Sequence, residues 1–206
     1  CGALVKEVMP EGGSVIIFIG RIGQLNGRLR RQCVIDEVLD RDHNPKRYDK
    51  PGEVLEGEKY RVLDTRTDDL DTGRALAGAE DAITLHPDLG CMVGLFDYNP
   101  PQCLQAIKKA GKLGAIHVVA FDEADGTLEG IRAGEIYGTI VQDPYRYGYE
   151  SVRILAGLAR GDNSVLPEGG FLDIPARKIT KDNVQAFWDN LQRLIAEGGA
   201  PDTTAD

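Results

Sequence analysis

The chain has 206 residues, 42% of them hydrophobic and 28% charged, which is enough apolar material for one globular domain with a small appendage and rules out disorder throughout. At this length a fold buries roughly 70% of the surface its unfolded chain exposes, so neither a metal nor a disulfide staple is required. A net charge of −9 argues against nucleic acid or an anionic membrane surface as partner, and a neutral ligand is expected.

In chain order, Gly2–Met9 reads as an amphipathic helix rather than a polar tether. Five short runs, β-branched or aromatic and bounded by Gly, Pro or Asp, read as buried strands: Ser14–Ile19, Tyr60–Asp64, Cys91–Phe96, Ile116–Phe121 and Tyr137–Val141. Helix-period segments alternate with them at about Leu25–Leu39, Ala75–Leu85, Pro101–Ala110 and Thr127–Ala133, each returning the chain to begin the next parallel strand. Arg41–Glu58, hydrophilic with two prolines, is expected to be an exposed loop. After Gln142 the rhythm changes. A helix over Tyr147–Arg160 ends on Gly161, a Pro/Gly loop (Leu166–Gly170) follows, and Phe171–Ile179 is extended. Asp182 or Asn183 then caps a last helix with Val184, Phe187, Trp188, Leu191, Leu194 and Ile195 on one face. The tail Gly198–Asp206 reads as disordered.

No apolar run approaches the roughly 18 residues needed to cross a bilayer; the longest, Val15–Ile19, is strand-sized. The first residues lack the basic start, apolar stretch and cleavage site of a signal peptide. Cys1, Cys33, Cys91 and Cys103 contain no CxxC pair and do not cluster with His43, His86 or His117, so zinc is not expected and free or packed thiols are.

In open parallel sheets ligands bind beyond the carboxyl ends of the strands. The first strand leaves into a Gly-rich turn, Gly20–Arg30, that opens a helix carrying Arg28, Arg30 and Arg31. Neither G-x-G-x-x-G nor G-x-x-x-x-G-K-[ST] is present, so no nucleotide cofactor is implied. Two of the three arginines are expected to be solvated and one to face the cleft, as a planar fork of donors. The other strands leave at Asp64, at Phe96-Asp97-Tyr98-Asn99, at Phe121-Asp122-Glu123 and at Gln142-Asp143. Carboxylates and amides that take hydroxyl pairs, with aromatic faces for the apolar side of a ring, are what a neutral polyhydroxylated ligand needs. One stretch invites an enzymatic reading: strand Val118–Phe121 followed by Asp122-Glu-Ala-Asp125-Gly-Thr resembles the D-x-D-G-T signature of Mg²⁺-dependent phosphatases. Its acidic residues are three apart rather than two, which misaims the second carboxylate.

Read together, Arg28-Leu-Arg30-Arg31-Gln, His86-Pro-Asp-Leu, Gly94-Leu-Phe-Asp-Tyr-Asn, Val119-Ala-Phe-Asp122, Ile131-Arg-Ala-Gly134, Val141-Gln142-Asp-Pro and Gly148-Tyr-Glu-Ser resemble the type I periplasmic sugar-binding proteins of the ribose-binding family. The resemblance runs from about residue 1 to about residue 195. It implies an α/β fold, a three-layer Rossmann-like parallel sheet with helices on both faces, forming one of two lobes. Residues 1–142 would be the C-terminal lobe. Residues 143–170 would be a crossover helix and strand belonging to the N-terminal lobe, most of which is missing, and 171–197 the return segment and C-terminal helix. The lactose-repressor family shares this fold but adds a DNA-binding headpiece. Cys1 falls inside a helix of the pattern, against a lipid-bearing first residue.

The function implied is the substrate-binding component of a sugar ABC importer, without catalysis or cofactor, in the periplasm, with a sugar ligand and an importer permease as partners. A sensory module of the same fold is the alternative. By resemblance Arg30 grips sugar hydroxyls, Asp122 follows the fourth strand and Gln142 stands at the hinge. The family's Asn after the third strand is Phe96 here, and an aromatic falls near Leu70, departures that put ribose in doubt. Phe96 would then stack on a sugar ring while Asn99, Tyr98 or Asp71 supplies hydrogen bonds. Cys33 replaces a family glycine with no functional account. Half of a two-lobe protein would also expose hinge surface that a homodimer could cover.

Overall fold

The computed structural model of the protein describes residues 1–199. A seven-stranded sheet of order β2-β3-β1-β4-β5-β6-β7 forms its middle layer. β1 (Gly13–Ile19), β3 (Tyr60–Thr67), β4 (Leu89–Gly94), β5 (His117–Phe121) and β6 (Gly138–Val141) are parallel. The expected parallel α/β sheet therefore forms, and each edge carries one short antiparallel strand, β2 (Leu55–Glu56) on β3 and β7 (Arg177–Thr180) on β6.

The two-residue period of the strands divides the core. Ile16, Phe18, Met92, Val118 and Ala120 face one side, under α3 (Thr72–Leu85), α4 (Asn99–Lys109), α5 (Asp125–Ala133) and α7 (Val184–Gly199). Val15, Ile17, Ile19, Cys91, Val93 and Val119 face the other, under α1 (Gly2–Val8) and α2 (Leu25–Val38). Both faces of β1 are thus buried, which is why its sequence is a continuous apolar run. Full burial of each such side chain contributes about 1.5–3 kcal/mol.

Several boundaries follow from caps. α3 begins at Thr72, three residues before the predicted start, because the Asp71 carboxylate accepts the Arg74 N–H at 2.8 Å. α6 (Pro144–Ala159) likewise starts early, with Pro144 in its first turn and Asp143 accepting from Arg146 N at 3.1 Å. Asn183 does not spend its side chain on α7. Its amide donates to Lys178 O and accepts from Thr180 N, fastening the end of β7. On α7, Val184 is buried and Phe187, Trp188 and Leu191 are partly so, whereas Ile195 is exposed. The strand expected within 143–170 does not form. Residues 161–170 make two short 3-10 turns, since no strand of this chain pairs with them. Of the predicted disordered tail, residues 200–206 lie outside the described residues.

Residues 41–58 are not simply a solvated loop. Asp36 and Asp49 are ringed by Gln32, Arg41 and, for Asp36, Arg47, while Arg31 donates to Thr65 Oγ1 at 2.8 Å and to Asp49 O at 2.7 Å. Arg31 is buried, so only Arg28 of the two arginines expected in solvent is exposed. The four cysteines are free thiols, and burial pushes the Cys91 thiol up to about 12.

The turn into β1 is tightly specified. Gly12 has φ 98°, and a β-carbon there would sit 2.2 Å from Lys59 O. Gly12→Ala is therefore expected to lower stability by about 2 kcal/mol or more, measured as a fall in the denaturant midpoint at constant slope.

Candidate ligand-binding cleft

In the five parallel strands the order β3-β1-β4-β5-β6 reverses direction between β1 and β4, the position at which a crevice opens at the carboxyl edge of such a sheet. α2 leaves β1 at this point and carries Arg30 across the edge. Arg30 Nη1 donates to Leu95 O at 2.8 Å and to Asp122 Oδ2 at 2.9 Å, and Nη2 reaches Asp122 Oδ1 at 3.5 Å. Its guanidinium carbon lies 3.8 Å from the centre of the Phe121 ring and 5.9 Å from that of Phe96. Side-chain exposures of 13% for Arg30 and 22% for Asp122 leave the pair reachable but shielded from full solvent screening.

Asp122 leaves β5 with φ 68°, in the left-handed region that costs a non-glycine residue roughly 1–3 kcal/mol. Two bonds hold it there: Asp122 N donates to Ile140 O at 2.9 Å, and the buried Thr139 hydroxyl donates to Asp122 O at 2.6 Å. Gln142 Nε2 donates to Asp122 Oδ1 at 3.3 Å from the end of β6. Three residues predicted from the sequence, Arg30, Asp122 and Gln142, thus meet in one bonded group. A cleft of about 490 Å³ opens beside them, lined by Asp97, Asp122, Glu123, Gln142, Pro144 and Tyr147. Burial, and the neighbouring Asp122 carboxylate, raise the Glu123 pKa above its ordinary value.

The other predicted positions behave differently. Phe96 is 9% exposed, seated over Gly20 and Gly27. Asn99 is fully buried. Its Oδ1 accepts from Phe96 N at 3.1 Å and its Nδ2 donates to Asp68 Oδ2 at 2.8 Å, so its amide is bonded within the protein and shapes the β4 exit. The Tyr98 hydroxyl donates to Asp68 Oδ1, and Asp71 caps α3. Asp64 lies inside β3, paired with Arg66 Nε at 2.7 Å, because the strand runs three residues further than expected; the acid at its exit is Asp68, buried. Asp125 accepts from Trp188 Nε1 while Asp122 accepts from Arg30 and Gln142, so the two carboxylates of the phosphatase-like stretch go to different partners. Sequence reasoning missed Asp68 and Thr139, neither of which carried a readable signal, and it named Phe121 at its strand exit as an aromatic face without anticipating that the ring lies against the Arg30 guanidinium.

No helix among the described residues is long and apolar enough to cross a membrane. Among curated proteins the chain is 22% identical over 164 residues to the D-allose-binding periplasmic protein of Escherichia coli (strain K12), covering 80% of this chain and 47% of that protein. It is 26% identical over 110 residues to the ribose import binding protein RbsB of Salmonella typhimurium, covering 53% and 37%. The chain therefore spans about half or less of the relatives it matches. Among solved structures, AraP, an arabinose binding protein from Geobacillus stearothermophilus, superposes with a TM-score of 0.74 at 18% identity, over 90% of this chain and 60% of that one. The fructose binding periplasmic domain of the hybrid two component system BT1754 gives 0.73 at 13% identity, over 96% and 59%. The model of the periplasmic binding protein domain matches residues 1–163, and with the fold and the cleft it establishes that this chain belongs to that family.

Proposed function

We propose that the chain supplies mainly the C-terminal lobe of a sugar-binding protein that delivers a mono- or small saccharide to an ABC importer in the periplasm. The observation that carries this reading is the Arg30–Asp122–Gln142 group at the sheet edge. It presents a donor fork, a hydroxyl acceptor and an amide that serves as either, held together by their own hydrogen bonds. The site binds and does not transform: Asp122 accepts hydroxyls, Arg30 donates to sugar oxygens, and closure of a second lobe shields both from water. Residues 1–142 form the lobe, 143–170 the crossover to the other lobe, and 171–197 the return. α6 supports this division: Tyr145, Tyr149, Val152 and Leu155 are each more than half exposed on it. The expected homodimer finds no support among the relatives, and the rest of a two-lobe protein would cover that face.

A second reading, sensing in place of import, is favoured by the likeness to a domain of a two component system. The partner separates the two. A permease complex would raise its ATPase rate with the sugar-loaded protein, and a histidine kinase would change its autophosphorylation.

The binding claim is tested by calorimetry of the full-length protein against aldopentoses and aldohexoses. One-to-one saturable binding is expected, weakened about 30-fold or more by Asp122→Asn, which removes the charge from the acceptor. Absence of any sugar binding, or unchanged affinity in Asp122→Asn, overturns the proposal; Mg²⁺-dependent phosphate-ester hydrolysis abolished by that substitution would establish the enzymatic reading instead.

A further inference from the structure

The charges that line the cleft do not balance. Asp97, Asp122 and Glu123 bring three carboxylates to it. Arg30 answers one of them, 2.9 Å from Asp122. The other guanidinium nearby belongs to Arg177 at the start of β7, which pairs with Asp143 at 3.6 Å and lies 5.2 Å from the centre of the Phe187 ring. Among the described residues neither Glu123 nor Asp97 is paired with a cation, and Asp97 accepts only from the Tyr98 backbone N–H at 2.8 Å. Glu123 is partly buried, and its surroundings disfavour its charge: burial and the carboxylates of Asp122 and Asp97 raise its pKa against the opposing pull of Arg177 and Arg30. Two acidic side chains of a cleft already furnished with a sugar-gripping group therefore await a cation.

We infer that the sugar bound here is an amino sugar, its hydroxyls on Arg30, Asp122 and Gln142 and its ammonium group on Glu123 and Asp97. This rests on the reading that the cleft binds sugar; the two unanswered carboxylates decide only which class of sugar. A hydroxyl gives such a carboxylate one neutral hydrogen bond, whereas an ammonium gives up to three charge-assisted ones and returns the carboxylate to its charged form. A metal ion is the poorer match, since no three His, Cys, Asp or Glu side chains among the described residues are grouped to hold one. The overall charge of −9 acts in the same direction, repelling anions and drawing a cationic sugar toward the protein.

The test is calorimetry of the full-length protein at neutral pH with matched sets that separate charge from bulk. Each of D-glucosamine, D-galactosamine and D-mannosamine is compared with its parent hexose and with its N-acetyl derivative, which keeps the nitrogen and loses the charge. In at least one set the amine should bind about tenfold tighter or more than both neutral members, as a charge-assisted contact at a partly screened site allows. Glu123→Gln should bring that ratio to within about threefold, and Asp97→Asn, at an exposed carboxylate, should lower it as well, with a thermal melt confirming that each variant is folded. A neutral hexose or pentose that binds as tightly as every amine overturns the inference and leaves the sugar-binding reading intact, as does a ratio that neither variant lowers. Failure of all sugars to bind overturns both.

Discussion

Arg30→Ala is expected to weaken sugar binding by about two to three orders of magnitude, the largest loss from any single substitution in the cleft. The guanidinium joins Leu95 O to the Asp122 carboxylate and stacks on Phe121, so its removal takes away the donor fork and also the group that orients the acceptor. Charge-assisted hydrogen bonds are worth about 1.5–3 kcal/mol each, and the loss of two corresponds to that range. Arg30→Lys should recover little, because a single ammonium cannot make the forked contact or lie flat on the ring. Calorimetry gives the affinities, and a thermal melt separates them from unfolding. An alanine variant within threefold of the parent would remove Arg30 from the site.

The second large effect falls on stability and far from the ligand. The Asp36 side chain is 1% exposed and its Oδ1 accepts from Gln32 at 3.0 Å and Arg47 at 2.6 Å and lies 3.2 Å from Arg41, while Oδ2 accepts from Asn44 N at 3.1 Å. Asp36→Ala strands two guanidinium groups and an amide around an empty place, which costs about 3 kcal/mol, or roughly 6–12 °C in Tm for a chain of this size. Acid should produce a related loss. Burial alone would raise the Asp36 and Asp49 pKa values, but hydrogen bonds from Gln32 and Arg47 to the first, and from Arg41 and Gln32 to the second, outweigh it and hold both below the ordinary carboxylate value. A depressed folded pKa contributes stability in full above the unfolded value of about 3.9 and loses it as pH falls through the folded one. The unfolding midpoint should therefore drop more steeply below about pH 4 in the parent than in Asp36→Asn. Parallel pH curves would show that the network does not bear on stability.

This network also marks where the sequence was hardest to read. α2 buries Arg31, Gln32 and Asp36 beside Val34, Ile35 and Val38, so its polar residues gave no hint that residues 41–58 fold back onto it. The buried strands were legible because double-sided burial demands continuous apolar runs, and those runs are bounded by turn residues. β2 was not, since two residues paired only with β3 have no period to detect. β3 was cut short at Asp64 because a charge inside a strand looks like its end; Arg66 neutralises that charge along the same strand. Within the cleft, Asp122 and Gln142 were legible from their places at strand exits, whereas Arg30 was singled out from its two neighbours only by the family resemblance. Asn99 had the same kind of address but a different fate, because its amide satisfies the backbone of Phe96 and the carboxylate of Asp68. Thr139 could not have been found, its role depending on a hydroxyl aimed from β6 at the residue that follows β5.

A crystal structure of the full-length protein with the tightest-binding sugar tests the cleft assignment directly. The sugar hydroxyls should lie within hydrogen-bonding distance of the Arg30 guanidinium and the Asp122 carboxylate, at the carboxyl edge of β1, β4 and β5. An ordered sugar that touches neither residue would contradict it.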